Sequence, residues 1–187
     1  MGKIVALMHV SLDGFMAGPK GEIDWIIFDQ ELNEYVVNVR ATAEGTLYGR
    51  NTYQMMEYYW PEVLKNNAPA GAVDYAQWVE KTLKVVVSTT LPSVSWNNTK
   101  LIKDNVAAEL KQLKKQLHGD LLLLGSARLT QSLFEVGLID EFRFTVNPIV
   151  LGSGIPLFKD VKIPVRLKLL DTKEFKSGVV SMHYKAS

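Results

Sequence analysis

The sequence predicts an α/β fold: a mostly parallel central sheet layered between helices, with an antiparallel hairpin at its C-terminal edge. Three observations predict it. Short apolar runs of strand length recur at residues 3–10, 84–87 and 120–124, and runs of that kind belong to strands covered on both faces. Segments with apolar residues at helical spacing separate them, so successive strands are joined by crossovers and lie parallel. The chain then closes on two strand-like segments, 166–175 and 179–185, joined at Ser177-Gly178, which is hairpin chemistry.

Element by element, residues 3–10 form the first strand, and residues 11–24, rich in Gly, Asp and Pro, form a loop. From 30 to 42, Leu32, Tyr35, Val36 and Val39 recur at helical spacing behind Asp29, which stands where an N-cap belongs. Thr46-Leu47-Tyr48 is a short strand running into Gly49-Arg50-Asn51-Thr52 and a second helix. A loop over 66–71 leads to a third helix over 72–81, then to the strand at 84–87, which ends in Ser88-Thr89-Thr90. Residues 106–117 form an amphipathic helix with Leu110, Leu113 and Leu117 on one side. The strand at 120–124 ends in Gly125-Ser126-Ala127-Arg128 and opens a helix running through Glu135. In the next strand Phe142, Phe144 and Val146 alternate with polar residues.

The 187 residues carry no linker or repeat and fit one domain, 1–187. At 47% hydrophobic and 22% charged the composition is that of a folded globular chain. A net charge of +1 implies no broad basic face, so neither nucleic acid nor an anionic membrane is an expected partner. With no cysteine, disulfides, thiolate nucleophiles and cysteine metal sites are excluded, and His9, His118 and His183 make no metal-ligand pattern. The first apolar run is too short to span a bilayer and lacks a cleavage site, so the expected location is the cytoplasm.

Chemistry is expected where the strands end. Gly49-Arg50-Asn51-Thr52, Ser88-Thr89-Thr90 and Gly125-Ser126-Ala127-Arg128 all follow strands, and in a parallel sheet such exits share the edge where open α/β folds bind ligands. Small residues let backbone N–H groups approach a phosphate, and two of the exits open helices whose N-termini favour anions. Arg50 and Arg128 could grip a phosphate, with the hydroxyls of Ser88 and Thr89 completing the shell. Taken singly, each exit reads equally as a turn or a cap. There is no GxGxxG with an acidic residue about 20 positions on, so a dinucleotide would be held differently from the Rossmann way.

Ser11-Leu12-Asp13-Gly14, Gly49-Arg50-Asn51-Thr52-Tyr53, Leu124-Gly125-Ser126-Ala127-Arg128-Leu129, Gly137-Leu138-Ile139-Asp140-Glu141 and the run from Pro148 to Phe158 together resemble the dihydrofolate reductase superfamily. The resemblance is strongest to the branch holding the reductase domain of the bifunctional riboflavin-biosynthesis deaminase/reductase. It covers the chain from Lys3 onward and implies a dihydrofolate reductase-like three-layer sandwich that binds NADPH. The deaminase partner needs a cysteine zinc site, so the resemblance implies a stand-alone reductase domain.

Residue by residue, the resemblance assigns Gly49, Arg50 and Thr52 to a phosphate-contacting turn. Ser88, Thr89 and Arg128 match positions around the adenosine 2′-phosphate, and Gly125, Ser126, Ala127 and Leu129 match the cradle of the pyrophosphate. The backbones of His9 and Ala17 match positions meeting the nicotinamide carboxamide. Where the family often has Gly-Gly with a cis peptide, this chain has Gly125-Ser126. The resemblance places Trp25 in the pocket wall and Thr145 at a position that supports a catalytic carboxylate. Asp29 is the candidate for that carboxylate, against its reading as an N-cap. Gly152 and Gly154 are candidates to receive a substrate phosphate through N–H groups, against their reading as a bulge or turn.

The expected activity is reduction of a small heterocycle, with 5-amino-6-(5-phosphoribosylamino)uracil as the named substrate. Dihydrofolate or a dihydropterin is the alternative substrate, and a nucleotide-binding module without turnover is the alternative class. A homodimer is expected, using the C-terminal strands.

Overall fold

The computed structural model describes residues 1–161 and 164–186. In chain order its elements are β1 (Ile4–Ser11), β2 (Phe15–Ala17), α1 (Gln30–Arg40), β3 (Ala43–Gly49), α2 (Arg50–Lys65), α3 (Ala70–Lys81), β4 (Leu83–Val87), β5 (Thr99–Ile102), α4 (Val106–Gln116), β6 (Asp120–Leu124), α5 (Ala127–Glu135), β7 (Glu141–Asn147), β8 (Ile155–Pro156), β9 (Leu167–Glu174) and β10 (Val180–Ala186). Eight strands form one sheet in the order β5-β4-β3-β6-β1-β7-β10-β9. The six from β5 to β7 run parallel, and the β9–β10 hairpin adds to β7 antiparallel.

The sheet is covered on both faces, as the apolar runs require. On one face Ile4, Ala6, Met8 and Val10 of β1 join Leu121 and Leu123 of β6 against Leu110 and Leu113 of α4 and Leu129 and Leu133 of α5. On the other, Val5, Leu7 and Leu122 meet Val39, Tyr35 and Val36 of α1, while Tyr48 and Val86 meet Tyr53 of α2 and Val79 of α3. Burying the apolar side chains from both faces of β1 is worth roughly 2 kcal/mol per residue before entropy. The result is the three-layer, mixed α/β sandwich that the sequence predicts.

Three features depart from the sequence reading. Helix α3 begins at Ala70, earlier than expected, because Pro69 is a good preceding residue and its carbonyl accepts from the Ala72 and Val73 amides. Strand β5 forms on the outer edge from a segment whose apolar content is too low to announce it. Within the two Gly-rich loops, β2 and β8 pair antiparallel into a small separate ribbon. Gly154 makes that ribbon possible: a Cβ there would lie 2.2 Å from the Ala17 carbonyl oxygen.

One buried charge stands out in the architecture. Lys84 of β4 is fully enclosed, and its ammonium donates to the carbonyls of Val79 at 2.8 Å, Thr82 at 2.9 Å and Glu80 at 3.2 Å. Those carbonyls lie at the C-terminal end of α3, where a cation complements the helix dipole. The Trp96 ring lies under the ammonium at 4.6 Å.

Candidate functional site

The parallel strands deliver their C-terminal ends to one edge, so Ser11, Gly49, Val87, Leu124 and Asn147 stand in a row across β1, β3, β4, β6 and β7. At about 4.8 Å per strand, the step from β4 to β1 across β3 and β6 spans roughly 14 Å. That length suits an extended ligand lying along the edge.

The β3–β6 part of this edge brings two helix N-termini together. Gly49 is the N-cap of α2 and Ser126 the N-cap of α5, and neither helix has a side chain capping its first turn. Both therefore keep unpaired N–H groups and the positive ends of their dipoles at the edge. The two termini are stitched together, since the Ser126 hydroxyl donates to Thr52 Oγ1 at 2.7 Å and accepts from the Gly49 N–H at 2.8 Å. A Cβ on Gly49 would lie 3.1 Å from Ser126 Oγ, tight enough to push the two helix starts apart. Gly125 and Ser126 both adopt left-handed backbone, with φ of +60° and +62°. For the serine this costs about 1–2 kcal/mol, an expense of the kind that clusters at functional turns. The described residues contain no cis peptide bond.

Arg50 opens α2 in an exposed position and reaches to the β4 exit, donating to Thr90 Oγ1 at 2.9 Å and to Asn51 Oδ1 at 3.2 Å. The Ser88 hydroxyl is buried and accepts from the Leu91 amide at 3.0 Å and the Thr90 amide at 3.3 Å, folding the turn that leaves Thr89 exposed. Ala127 and Arg128 begin α5, Arg128 exposed at its start, and Leu129 is buried in the core, where it seats the helix. The structure thus brings Gly49, Arg50, Thr52, Gly125, Ser126 and Arg128 to one stretch of edge. Thr90, absent from the sequence-based set, joins them as the partner of Arg50.

Further along the edge, β1 and β7 bring His9, Thr145 and Asn147 together on the α1 face. His9 of β1 is half-buried, with Nδ1 2.5 Å from Thr145 Oγ1 and the Phe28 ring edge-on at 5.2 Å. Burial pushes the His9 pKa down to about 4, so the imidazole is neutral at physiological pH. Asn147, fully buried, accepts from the Ile27 amide at 2.9 Å through Oδ1 and so ties the segment bearing Phe28 to the sheet. Trp25 in the same segment is held by its indole N–H on the Glu22 carbonyl at 3.0 Å.

Two expected pairings form differently. The Thr145 hydroxyl meets His9 and not Asp29. The Asp29 carboxylate turns into α1 as its N-cap, accepting from the Leu32 amide at 2.8 Å. The Ser177 hydroxyl and that amide hold the Asp29 carboxyl below its ordinary range, the opposite of what a proton donor near neutrality needs. The Gly152 N–H, expected to face a phosphate, donates to Asp13 Oδ2 at 2.7 Å. Asp13 also accepts from the Leu151 amide at 3.1 Å and the Ser11 hydroxyl at 2.7 Å. It is therefore a clamp joining the loop after β1 to the loop after β7. Ala17, buried in β2, is held beneath that clamp by the ribbon. Beside it, on the α5 face, Val10, Phe144, Val146, Leu157 and Phe158 help line a cavity of about 410 Å3.

Comparison with known proteins fits this geometry. The model of the RibD C-terminal domain matches residues 2–181. The chain belongs to the RibD C-terminal domain family. It is 36% identical over 182 residues to the uncharacterized protein YyaP of Bacillus subtilis (strain 168), covering 97% of this chain and 94% of YyaP. The structure superposes on a Shewanella sp. PV-4 protein named for riboflavin biosynthesis with a TM-score of 0.77 at 20% identity, covering 99% of each chain. It superposes on dihydrofolate reductase of Enterococcus faecalis, solved with NADP(H), with a TM-score of 0.65 at 14% identity, covering 100% of this chain and 97% of that one. Those likenesses make the fold dihydrofolate reductase-like. Among the described residues of this RibD-type chain no helix is long and apolar enough to cross a membrane.

Proposed function

We propose that this chain is an NADPH-dependent reductase of a small heterocyclic substrate, of the 5-amino-6-(5-phosphoribosylamino)uracil type. The observation that carries the reading is the pair of uncapped helix N-termini at Gly49 and Ser126, flanked by Arg50 and Arg128. Such a pair suits a pyrophosphate, and guanidinium groups suit an added 2′-phosphate. Ser88 and Thr89 lie on the β4 side of Arg50, where the adenosine end would rest, and Ala127 and Leu129 fix where α5 starts. From there the edge leads over β6 to His9 and Ala17, the nicotinamide end of the reading.

Bound in this way, NADPH supplies a hydride. The protein's own residues align the two ligands, which is most of what hydride transfer asks. Trp25 and Phe28 form the wall of the substrate side in this reading, and the Asp13 clamp holds the Gly152–Gly154 turn that closes it. Asp29 serves as a helix cap. That favours an aminopyrimidine over a pterin, because reducing a pterin ring calls for a nearby proton-donating carboxyl.

The reading makes the chain a cytoplasmic enzyme and a homodimer. Edge strand β9 supports the dimer, since it leaves Leu169 and Leu170 exposed at the sheet's edge. Light scattering at micromolar concentration should give twice the 21.0 kDa chain mass; a monomer would contradict the dimer. The reaction is tested by following NADPH oxidation against the aminopyrimidine phosphate, dihydrofolate and dihydropterins. Turnover is expected with the first, and binding of NADPH without oxidation against any of them would make the chain a nucleotide-binding module.

A further inference from the structure

His9 is a polar side chain at the β1 end of this edge whose hydrogen-bonding capacity the fold does not exhaust. Its Nδ1 is committed to Thr145. Its Nε2 has no hydrogen-bond partner among the described residues and is not among the polar atoms sealed from solvent without one. Thr145 is fully buried, and among the described residues its hydroxyl has His9 as its single side-chain partner. A buried hydroxyl proton left unpaired is costly, so the Thr145 O–H donates to Nδ1. A neutral imidazole that accepts at Nδ1 must carry its proton on Nε2. The Phe28 ring, edge-on to the imidazole, limits its rotation. The arrangement is thus a fixed N–H donor standing at the β1 end of the edge.

We propose that His9 donates a hydrogen bond from Nε2 to the heteroatom of the substrate bond being reduced, with Thr145 as the positioning residue that sets its tautomer. This rests on the reductase reading and deepens it. The substrate class is a C=N or C=O group whose nitrogen or oxygen lies within reach of Nε2 when its carbon faces the nicotinamide. In the step, the C–H bond of the dihydronicotinamide breaks and its electron pair forms the new C–H bond. The π pair of C=N or C=O moves onto the heteroatom, which takes a proton from solvent. His9 keeps its own proton and stabilises the charge that develops there, as an oxyanion-hole donor does.

The test combines kinetics with nitrogen NMR of the imidazole. On whichever of the aminopyrimidine phosphate and dihydrofolate the wild type reduces, His9→Leu should lower kcat/KM by about tenfold to a hundredfold, mostly through kcat. Its affinity for NADPH by calorimetry should be unchanged. His9→Gln, whose amide N–H falls near the same place, should recover most of the loss, and His118→Gln on the surface should have no effect. Thr145→Val should lower kcat/KM by severalfold and Thr145→Ser should restore it. In the wild type without substrate, long-range 15N–1H spectra should show His9 as the Nε2–H tautomer, mixed with the other in Thr145→Val. Full activity of His9→Leu, or an Nδ1–H tautomer in the wild type, overturns the proposal. Absence of NADPH oxidation by the wild type on every substrate overturns the reductase reading itself, and the NMR arm still decides the tautomer.

Discussion

Lys84 on β4 and His9 on β1 are both held within the fold, and the fold treats them differently. In the α3–β4 corner, Lys84 spends all three ammonium protons on backbone carbonyls. On β1, beside β7, His9 has one nitrogen held by Thr145 and the other without a partner among the described residues. Burial lowers the pKa of both, to about 8 for Lys84 and about 4 for His9. Lys84 remains charged at neutral pH because its partners suit a cation, whereas burial alone leaves His9 neutral. A fully satisfied polar group inside a fold is architecture. One with spare capacity that solvent can reach is available to a ligand.

The sharpest way to break the comparison is to remove each group. Lys84→Met leaves three carbonyls unpaired at the end of α3 and should cost about 3–4 kcal/mol of stability in urea unfolding at pH 7. His9→Gln removes the acceptor of the single buried Thr145 hydroxyl and should cost only about 1–2 kcal/mol at that pH, so a cost equal to that of Lys84→Met would erase the distinction.

The next effect depends on pH. Between about 4, its folded value, and the ordinary 6.5, His9 is protonated in the unfolded chain and neutral in the folded one. The unfolded state binds the extra proton there, so stability must rise with pH through that window. The wild type should gain about 3 kcal/mol from His9 across it, and His9→Gln should flatten that part of the slope. Parallel slopes for the two proteins would show that His9 does not titrate this way.

The smallest expected effect is at Asp29. Asn caps helices about as well as Asp, so Asp29→Asn should alter stability by less than about 0.5 kcal/mol and leave turnover on the aminopyrimidine near normal. A loss of about a hundredfold or more in turnover, with an unchanged melting temperature, would make Asp29 a proton donor and move the substrate toward a pterin. Glu31→Gln serves as the companion control, because Glu31 accepts from the Lys176 amide at 3.0 Å and holds the β9–β10 turn.

Much of this was legible in the sequence where one physical signal dominates. The unbroken apolar run of β1 requires cover on both faces, and it has that cover. The predicted exits at Gly49, Ser88 and Gly125 do share one edge, because parallel strands put their ends together. Less legible was anything set by contacts distant in the chain. Strand β5 has Thr99 and Lys100 among its four residues and forms by pairing with β4. The β2–β8 ribbon depends on the Asp13 clamp across some 140 positions, and no local pattern announces it. On β7, Arg143, Thr145 and Asn147 alternate with apolar neighbours as solvent-facing residues would. Thr145 and Asn147 are instead fully buried, and an Asn ending a strand just before Pro148 was the one hint of it. The family resemblance implied a backbone role for His9; its side-chain pairing depends on Thr145, 136 residues away.

The central claim is that the Gly49–Ser126 edge holds NADPH with Arg50 on its 2′-phosphate. Calorimetric titration of NADPH and NADH into the wild type and Arg50→Ala tests it most directly. Charge-assisted bonds are worth about 1.5–3 kcal/mol each, so the wild type should prefer NADPH by about tenfold or more, and Arg50→Ala should lose most of that preference while still folding. Equal affinities for the two nucleotides in the wild type, or a preference that survives Arg50→Ala intact, would contradict the account.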